Sequence, residues 1–267
     1  MFDPTHYASV EPLQGFVGNE SFRLRTESGE SLYYKSGDAA AMAAEVWACE
    51  RARQAGVMAP EIVESGPGYL LERALPGSEA SSAAVLEQAG AHLRLLHEVP
   101  GDSYGFLHEG LSASWLEVLQ RPLDELDVLA GIVDDELVRR LRGLRFADRL
   151  AIVAPRLLHG DLHPRHIYAE GNQLTGFIDW GDVAFGDPLF DLGRFSRAGA
   201  EPTDALLRGY KIERTAALDW TLALYRTIWG VKAMLWEHAA GGDWYAAHLD
   251  AIAADLPRLE RGPASWR

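Results

Sequence analysis

Two short stretches carry the residues best suited to chemistry, His159-Gly160-Asp161-Leu162-His163-Pro164-Arg165-His166 and Gly176-Phe177-Ile178-Asp179-Trp180-Gly181-Asp182. Asp161 falls on a tight loop, His166 follows shortly after, and Asp179 ends an apolar strand. Phosphoryl transfer needs such a set: one carboxylate to orient the attacking hydroxyl, and two further groups to hold the magnesium ions that bridge the nucleotide phosphates. His166-Ile167-Tyr168-Ala169 and Leu174-Thr175-Gly176-Phe177-Ile178 read as strands joined by a turn at Glu170-Gly171-Asn172. A hairpin of that length returns Asp179 to the side of His166. Aspartates that merely cap or turn the chain are the plainer reading. The coincidence of loop, hairpin and strand-terminal acid favours the chemical one.

The elements that must position these groups are also visible. Ser21 to Thr26 and Ser31 to Lys35 form a hairpin across Glu27-Ser28-Gly29-Glu30. Asp38 caps an Ala-rich helix that Gly56 and Pro60 stop. Two more strands, Glu61 to Glu64 and Tyr69 to Glu72, lead into the connector Leu75-Pro76-Gly77. The rest reads as helical: Ser82 to His97, Trp115 to Leu129, Asp134 to Leu150, then Thr203 to Tyr210, Ala216 to Ala240 and Trp244 to Leu259. Asp187 before Pro188 reads as an N-cap with a first-turn proline. The late tryptophans Trp220, Trp229, Trp236 and Trp244 are expected to pack those helices.

A chain of 267 residues, 48% hydrophobic and 24% charged, suffices for two soluble lobes around a cleft. It has no apolar run long enough for a membrane span and no N-terminal signal pattern. A lone Cys49 suits a reducing cytoplasm and reads as a small core residue. The net charge of −14 argues against nucleic-acid binding and is compatible with a cationic small-molecule substrate. Lysines are confined to Lys35, Lys211 and Lys232, which makes a strand-borne Lys35 conspicuous.

The H-G-D-L-H-P segment, the following I-D-W and Gly186-Asp187-Pro188-Leu189-Phe190-Asp191-Leu192 resemble the aminoglycoside phosphotransferase family, along the length of the chain. The resemblance implies an α+β, bilobal protein-kinase-like fold, with a small antiparallel-sheet lobe over residues 1–75 and a larger, mostly helical lobe over 76–267. It implies Asp161 as catalytic base and His166 with Asp179 as metal ligands. Histidine at 166 replaces the usual asparagine, as in the 2''-aminoglycoside and macrolide branches. Gly15-Phe16-Val17-Gly18-Asn19-Glu20-Ser21 is neither G-x-G-x-x-G nor a Walker loop, but resembles the family's G-x-S nucleotide loop, making Gly18 and Ser21 phosphate contacts. Lys35 would contact the α- and β-phosphates, held by a helix glutamate. Glu45 and Glu50 both lie on that helix, and the resemblance favours Glu45 by its distance from Pro60. The backbone of Glu72-Arg73-Ala74 would bind the base, so Glu72 and Ala74 complete the nucleotide site. Asp191 would pin the catalytic loop, while His159 and His163 are expected to be structural.

The function implied is transfer of the γ-phosphoryl group of ATP or GTP, with Mg²⁺ and with Mn²⁺ accepted as well, to a hydroxyl of an aminoglycoside-like antibiotic. Asp182 is expected beside Asp161 as a substrate carboxylate, with Glu237, Asp243 or Asp250 as further candidates on late helices. Alternatives are a metabolic kinase acting on a choline-like, sugar or macrolide hydroxyl, or a nucleotide-binding regulator without turnover. A protein kinase fits poorly, because the interval from Asp179 to Gly186 leaves no room for an activation loop. The resemblance is compatible with a monomer or a homodimer.

Overall fold

A computed structural model describes residues 3–13, 20–80, 82–144, 146 and 153–262. Gly18 and the rest of the 14–19 loop lie outside the described residues. The small lobe is an antiparallel sheet ordered β1-β2-β3-β5-β4, from β1 (Ser9–Leu13), β2 (Glu20–Arg25), β3 (Ser31–Ser36), β4 (Ile62–Gly66) and β5 (Tyr69–Arg73). One helix, α1 (Ala39–Gln54), packs behind it. Asp38 starts that helix by accepting from the N–H groups of Ala40 and Ala41, which would otherwise have no partner. Ala44, Ala48, Cys49 and Ala52 form its buried face, so Cys49 is a core residue as expected.

The larger lobe is built on α2 (Ala83–Leu96), capped by Ser82, and on α3 (Trp115–Asp124), α4 (Asp135–Arg142), α5 (Leu189–Phe195), α6 (Ala200–Tyr210), α7 (Ala216–Ala239) and α8 (Ala246–Arg261). Two three-stranded sheets lie among them. In one, the hairpin β9 (Ile167–Glu170) and β10 (Gln173–Phe177) is joined by β6 (Ser78–Glu79). In the other, β11 (Ala184–Gly186) lies between β7 (Gly105–Phe106) and β8 (Arg156–Leu158). The larger lobe's core is aromatic-rich, with Trp115, Phe190 and Tyr225 wholly enclosed.

Several boundaries differ from expectation, for local reasons. Pro122 lies inside α3, where it removes a backbone donor, and the chain from Glu125 to Leu129 tightens into a 3-10 turn. The helix expected from Asp134 to Leu150 ends at Arg142 with Gly143 as its cap; residues 145 and 147–152 lie outside the described residues. Asp187 does accept from the Leu189 N–H, but Pro188 occupies the cap position itself. Trp220 and Trp229 are buried as expected; Trp244 is 79% exposed, ahead of α8 rather than packed within it.

Candidate active site

The loop bearing Asp161 is fastened from below. Asp191, on α5, accepts from the backbone N–H groups of His159 at 2.8 Å and Gly160 at 2.9 Å. His97 lies 3.0 Å from the same carboxylate, which is wholly buried and therefore strongly ordering. Gly160 has φ +86, and a Cβ there would collide with the Asp182 carbonyl oxygen. Only glycine lets the loops bearing Asp161 and Asp182 approach so closely. His159 packs against Trp180 with the rings tilted and lies 2.9 Å from the Ile178 carbonyl, the packing expected of it.

Pro164 starts a 3-10 turn, so His166 precedes β9 instead of opening it. Its Nδ1 lies 2.8 Å from the Asp161 carbonyl oxygen. A carbonyl only accepts, so Nδ1 carries a proton and Nε2 faces outward. That atom lies 3.5 Å from Asp179 Oδ2, across the base of the hairpin. Asp179 adopts φ +65, a strained conformation for a non-glycine residue that turns its carboxylate into the cleft. His166 Nε2 and the Asp179 carboxylate thus face each other, two groups of the kinds that ligate divalent cations.

From the small lobe, Lys35 Nζ lies 2.5 Å from Glu45, 3.7 Å from Glu72 and 3.7 Å from Asp179. Burial alone would favour the neutral amine, but these three carboxylates hold the Lys35 pKa well above its ordinary value. The Asp179 side chain stays more than half exposed, and Lys35 outweighs the desolvation that opposes its ionisation, lowering that pKa. Glu72, almost fully buried and more weakly paired, is pushed up to about 7 by desolvation that Lys35 only partly offsets. Glu45 also accepts from the Trp180 N–H, joining α1 to the segment after Asp179. Glu50 is exposed and takes no part in this cluster.

The opposite wall comes from late elements. Arg194, on α5, donates from Nε to Asp161 Oδ1 at 2.6 Å and rests on the Trp229 ring at 3.6 Å. Lys232, on α7, is buried between the Phe106 and Trp236 rings and pairs with Glu109 at 2.8 Å. Burial pushes Asp182 up to about 7 against the pull of Lys232, with Asp161 adding repulsion. Glu109 is held at about 2, because His108 and Lys232 outweigh its burial.

The structure thus brings Asp161, His166, Asp179, Lys35, Glu45, Glu72 and Asp182 to one cleft. Ser21 pairs with Lys35 in the β2–β3 ladder. Ala74 donates its backbone N–H to Ser31 at the end of β5, so that N–H is engaged within the sheet. Glu237 hydrogen-bonds to the Trp244 N–H. Asp243 and Asp250 are exposed. Arg194, Lys232 and Glu109 were missed by sequence reasoning. Lys232 had one usable signal, as one of three lysines, within an otherwise apolar helix.

A small lobe offering a carboxylate-held lysine, over a helical lobe offering a loop aspartate and a hairpin-borne acid, is the architecture of a kinase-type phosphotransferase. The profile of the phosphotransferase enzyme family, APH, matches residues 9–225, and the chain belongs to that family. Solved structures of the same fold include a protein assigned as a fructosamine-3-kinase from Thermobifida fusca, with TM-score 0.74, 15% identity and coverage of 96% of this chain and 94% of that one. A choline/ethanolamine kinase family protein from Mesorhizobium loti aligns with TM-score 0.71 and 23% identity, over 96% of this chain and 89% of that one. The aminoglycoside phosphotransferase APH(4)-Ia, in complex with ADP and hygromycin B, aligns with TM-score 0.67 and 15% identity, over 96% and 93%. No curated protein matches the chain by sequence. Among the described residues, no helix is long and apolar enough to cross a membrane.

Proposed function

We propose that this protein transfers the γ-phosphoryl group of ATP to a hydroxyl of a small polar molecule, with Asp161 as the base. The observation that carries this reading is the Asp161 carboxylate. Arg194 occupies its Oδ1 and thereby fixes the side chain, while Oδ2 lies 3.8 Å from His166 and remains available to an acceptor hydroxyl. Lys35, 3.7 Å from Asp179, links the nucleotide end of the cleft to the catalytic end. Its charge would neutralise the α- and β-phosphates, with Glu45 setting its position.

Family and fold imply a divalent cation with the nucleotide. The donors fit one: Asp179 Oδ2 and His166 Nε2 would hold it, and it would neutralise charge on the phosphates. Among the described residues no three such donors converge, so phosphate oxygens and water would complete the shell, as magnesium prefers. Imidazole in the set supports good activity with Mn²⁺ as well.

The cationic amino sugar expected from sequence has less support. Asp182 is held near neutrality and shares the field of Lys232, and Glu237 is engaged with its own helix end. The test is transfer of labelled γ-phosphate to a panel of alcohols. A phosphorylated acceptor whose formation disappears in Asp161→Asn is the expected result. Nucleotide hydrolysis with no phosphorylated product in any acceptor reaction would overturn it.

A further inference from the structure

The acceptor wall holds more positive charge than its own carboxylates neutralise. Arg194 has Asp161 as its carboxylate partner. Arg197, one turn further along the chain in the 3-10 segment that follows α5, forms no ion pair among the described residues. Its Nη2 lies 3.3 Å from His248 Nδ1, while its Nη1 is buried and has no hydrogen-bond partner among the described residues. Both guanidinium groups lean on the same Trp229 ring, Arg197 at 5.3 Å from its centre. Arg226, which also faces this group, is committed elsewhere: Asp255 takes its Nε at 2.7 Å, and Ser196 its Nη1 at 2.7 Å.

Arg197 is half-buried, and its nearest carboxylates, Asp255 and Asp161, are already paired with Arg226 and Arg194. Its charge is therefore undercompensated, and a ligand anion would supply what is missing. The neighbours accentuate this. Desolvation, with Arg194, Arg165 and Arg197, holds His163 at about 3, and desolvation with Arg197 and Arg194 holds His248 at about 4. Both rings are therefore uncharged at neutral pH and add nothing to the positive charge, but each can donate or accept a hydrogen bond. Asp182 and Glu109 lie on the Lys232 side of the cleft, where their charge is already opposed.

From the shared Trp229 platform we infer that Arg197, with Arg194 beside Asp161, forms a subsite for an anionic group of the acceptor, a carboxylate or a phosphate on the molecule that carries the reacting hydroxyl. This rests on the phosphotransferase reading of the same cleft. An aromatic floor with two guanidinium groups suits a planar carboxylate through paired N–H donors. Arg194 then serves both ends: it orients Asp161 and places the anion within one side chain's reach of the base.

Inorganic sulfate is a suitable probe, because its size imposes little shape requirement. The protein is first saturated with ADP and Mg²⁺ to fill the phosphate site. Melting is then compared in sulfate and in chloride at equal ionic strength. Wild type and Arg208→Gln, a change at an exposed residue paired with Glu87, should be stabilised by sulfate, and Arg197→Gln should lose that stabilisation. Equal stabilisation of all three proteins, or none in wild type, would overturn the subsite. Kinetics supply the second arm, with glycerate, glycerol and choline as anionic, neutral and cationic alcohols. Glycerate should be the best phosphoryl acceptor of the three, and Arg197→Gln should raise its KM about tenfold or more with little change in nucleotide KM. A preference for choline overturns the inference while leaving phosphoryl transfer intact. Failure of every acceptor, with the sulfate effect preserved, defeats the phosphotransferase reading and leaves the anion subsite standing.

Discussion

The two sides of the cleft solve opposite electrostatic problems. On the nucleotide side one lysine is surrounded by three carboxylates, Glu45, Glu72 and Asp179, so the bare protein has a surplus of negative charge there. A nucleotide brings more, which makes a cation the missing component. On the acceptor side Arg194 and Arg197 share one aromatic ring and one close carboxylate, and an anion is missing instead. Asp161 lies at the seam. Each half is incomplete in a way that names the charge of what should fill it.

The largest effect should come at the seam. Asp161→Asn keeps the hydrogen bond from Arg194 feasible but removes the base, and should lower kcat by about 10²–10⁴-fold. Nucleotide affinity, measured by calorimetry, should stay near that of wild type. Near-normal turnover would place the base elsewhere.

On the nucleotide side, Lys35→Ala should raise the nucleotide KM and lower kcat together, on the order of tenfold or more in kcat/KM. Glu45→Gln should follow in the same direction but less, because the lysine stays charged and loses only its anchor. Glu50→Gln is the control: an exposed residue outside the cluster, it should change neither parameter. If Glu50→Gln behaved like Glu45→Gln, the helix would be acting as a whole and not through one ion pair.

A still smaller change is expected at the metal. His166→Asn should keep partial activity with Mg²⁺, since an amide oxygen can replace the imidazole nitrogen. Its ratio of Mn²⁺- to Mg²⁺-supported activity should fall, because the softer ligand has gone. An unchanged ratio would mean that His166 only braces the loop through the Asp161 carbonyl.

The same division governs what the sequence reveals. The nucleotide half was legible because its parts sit on consecutive local elements: a hairpin carries Lys35, a capped helix carries Glu45, and a second hairpin returns Asp179 to His166. Short turns fix such distances, so spacing alone encodes the geometry. Glu72 was half legible: the strand was expected, but its side chain joins the Lys35 cluster, whereas only a backbone role was anticipated. The acceptor half depends on how α5, α7 and α8 cross. Arg194 and Arg197 are ordinary-looking arginines until Trp229, more than thirty residues away in sequence, slides beneath them. A residue on a buried helix face shows only that the face is buried. Net charge describes the whole surface and not the wall of one pocket, so the acidic composition does not reveal these arginines.

The finest test of the comparison is the pH response of Asp182, which lies on the Lys232 side of the cleft, close to Asp161. Its pKa is raised from the usual 3.8 to about 7, chiefly by burial. In the window between those values the folded protein holds a proton that the unfolded chain has released. Stability contributed by this group is therefore greatest at acid pH and declines as pH rises towards 7. Asp182→Asn lacks that proton, so its melting temperature should fall less than that of wild type between pH 5 and pH 8. Glu72, also raised to about 7, gives both proteins a common background slope, and the difference between them isolates Asp182. The acceptor kinetics discriminate further. If Asp182 paired with an ammonium group, the acceptor KM would drop as pH rises through 7 and the carboxylate forms. With an anionic acceptor held by Arg197, ionising Asp182 adds a nearby negative charge, so KM should rise modestly through the same window and the rise should vanish in Asp182→Asn. A falling KM in wild type would return the acceptor to the cationic class and reverse the assignment of the two walls.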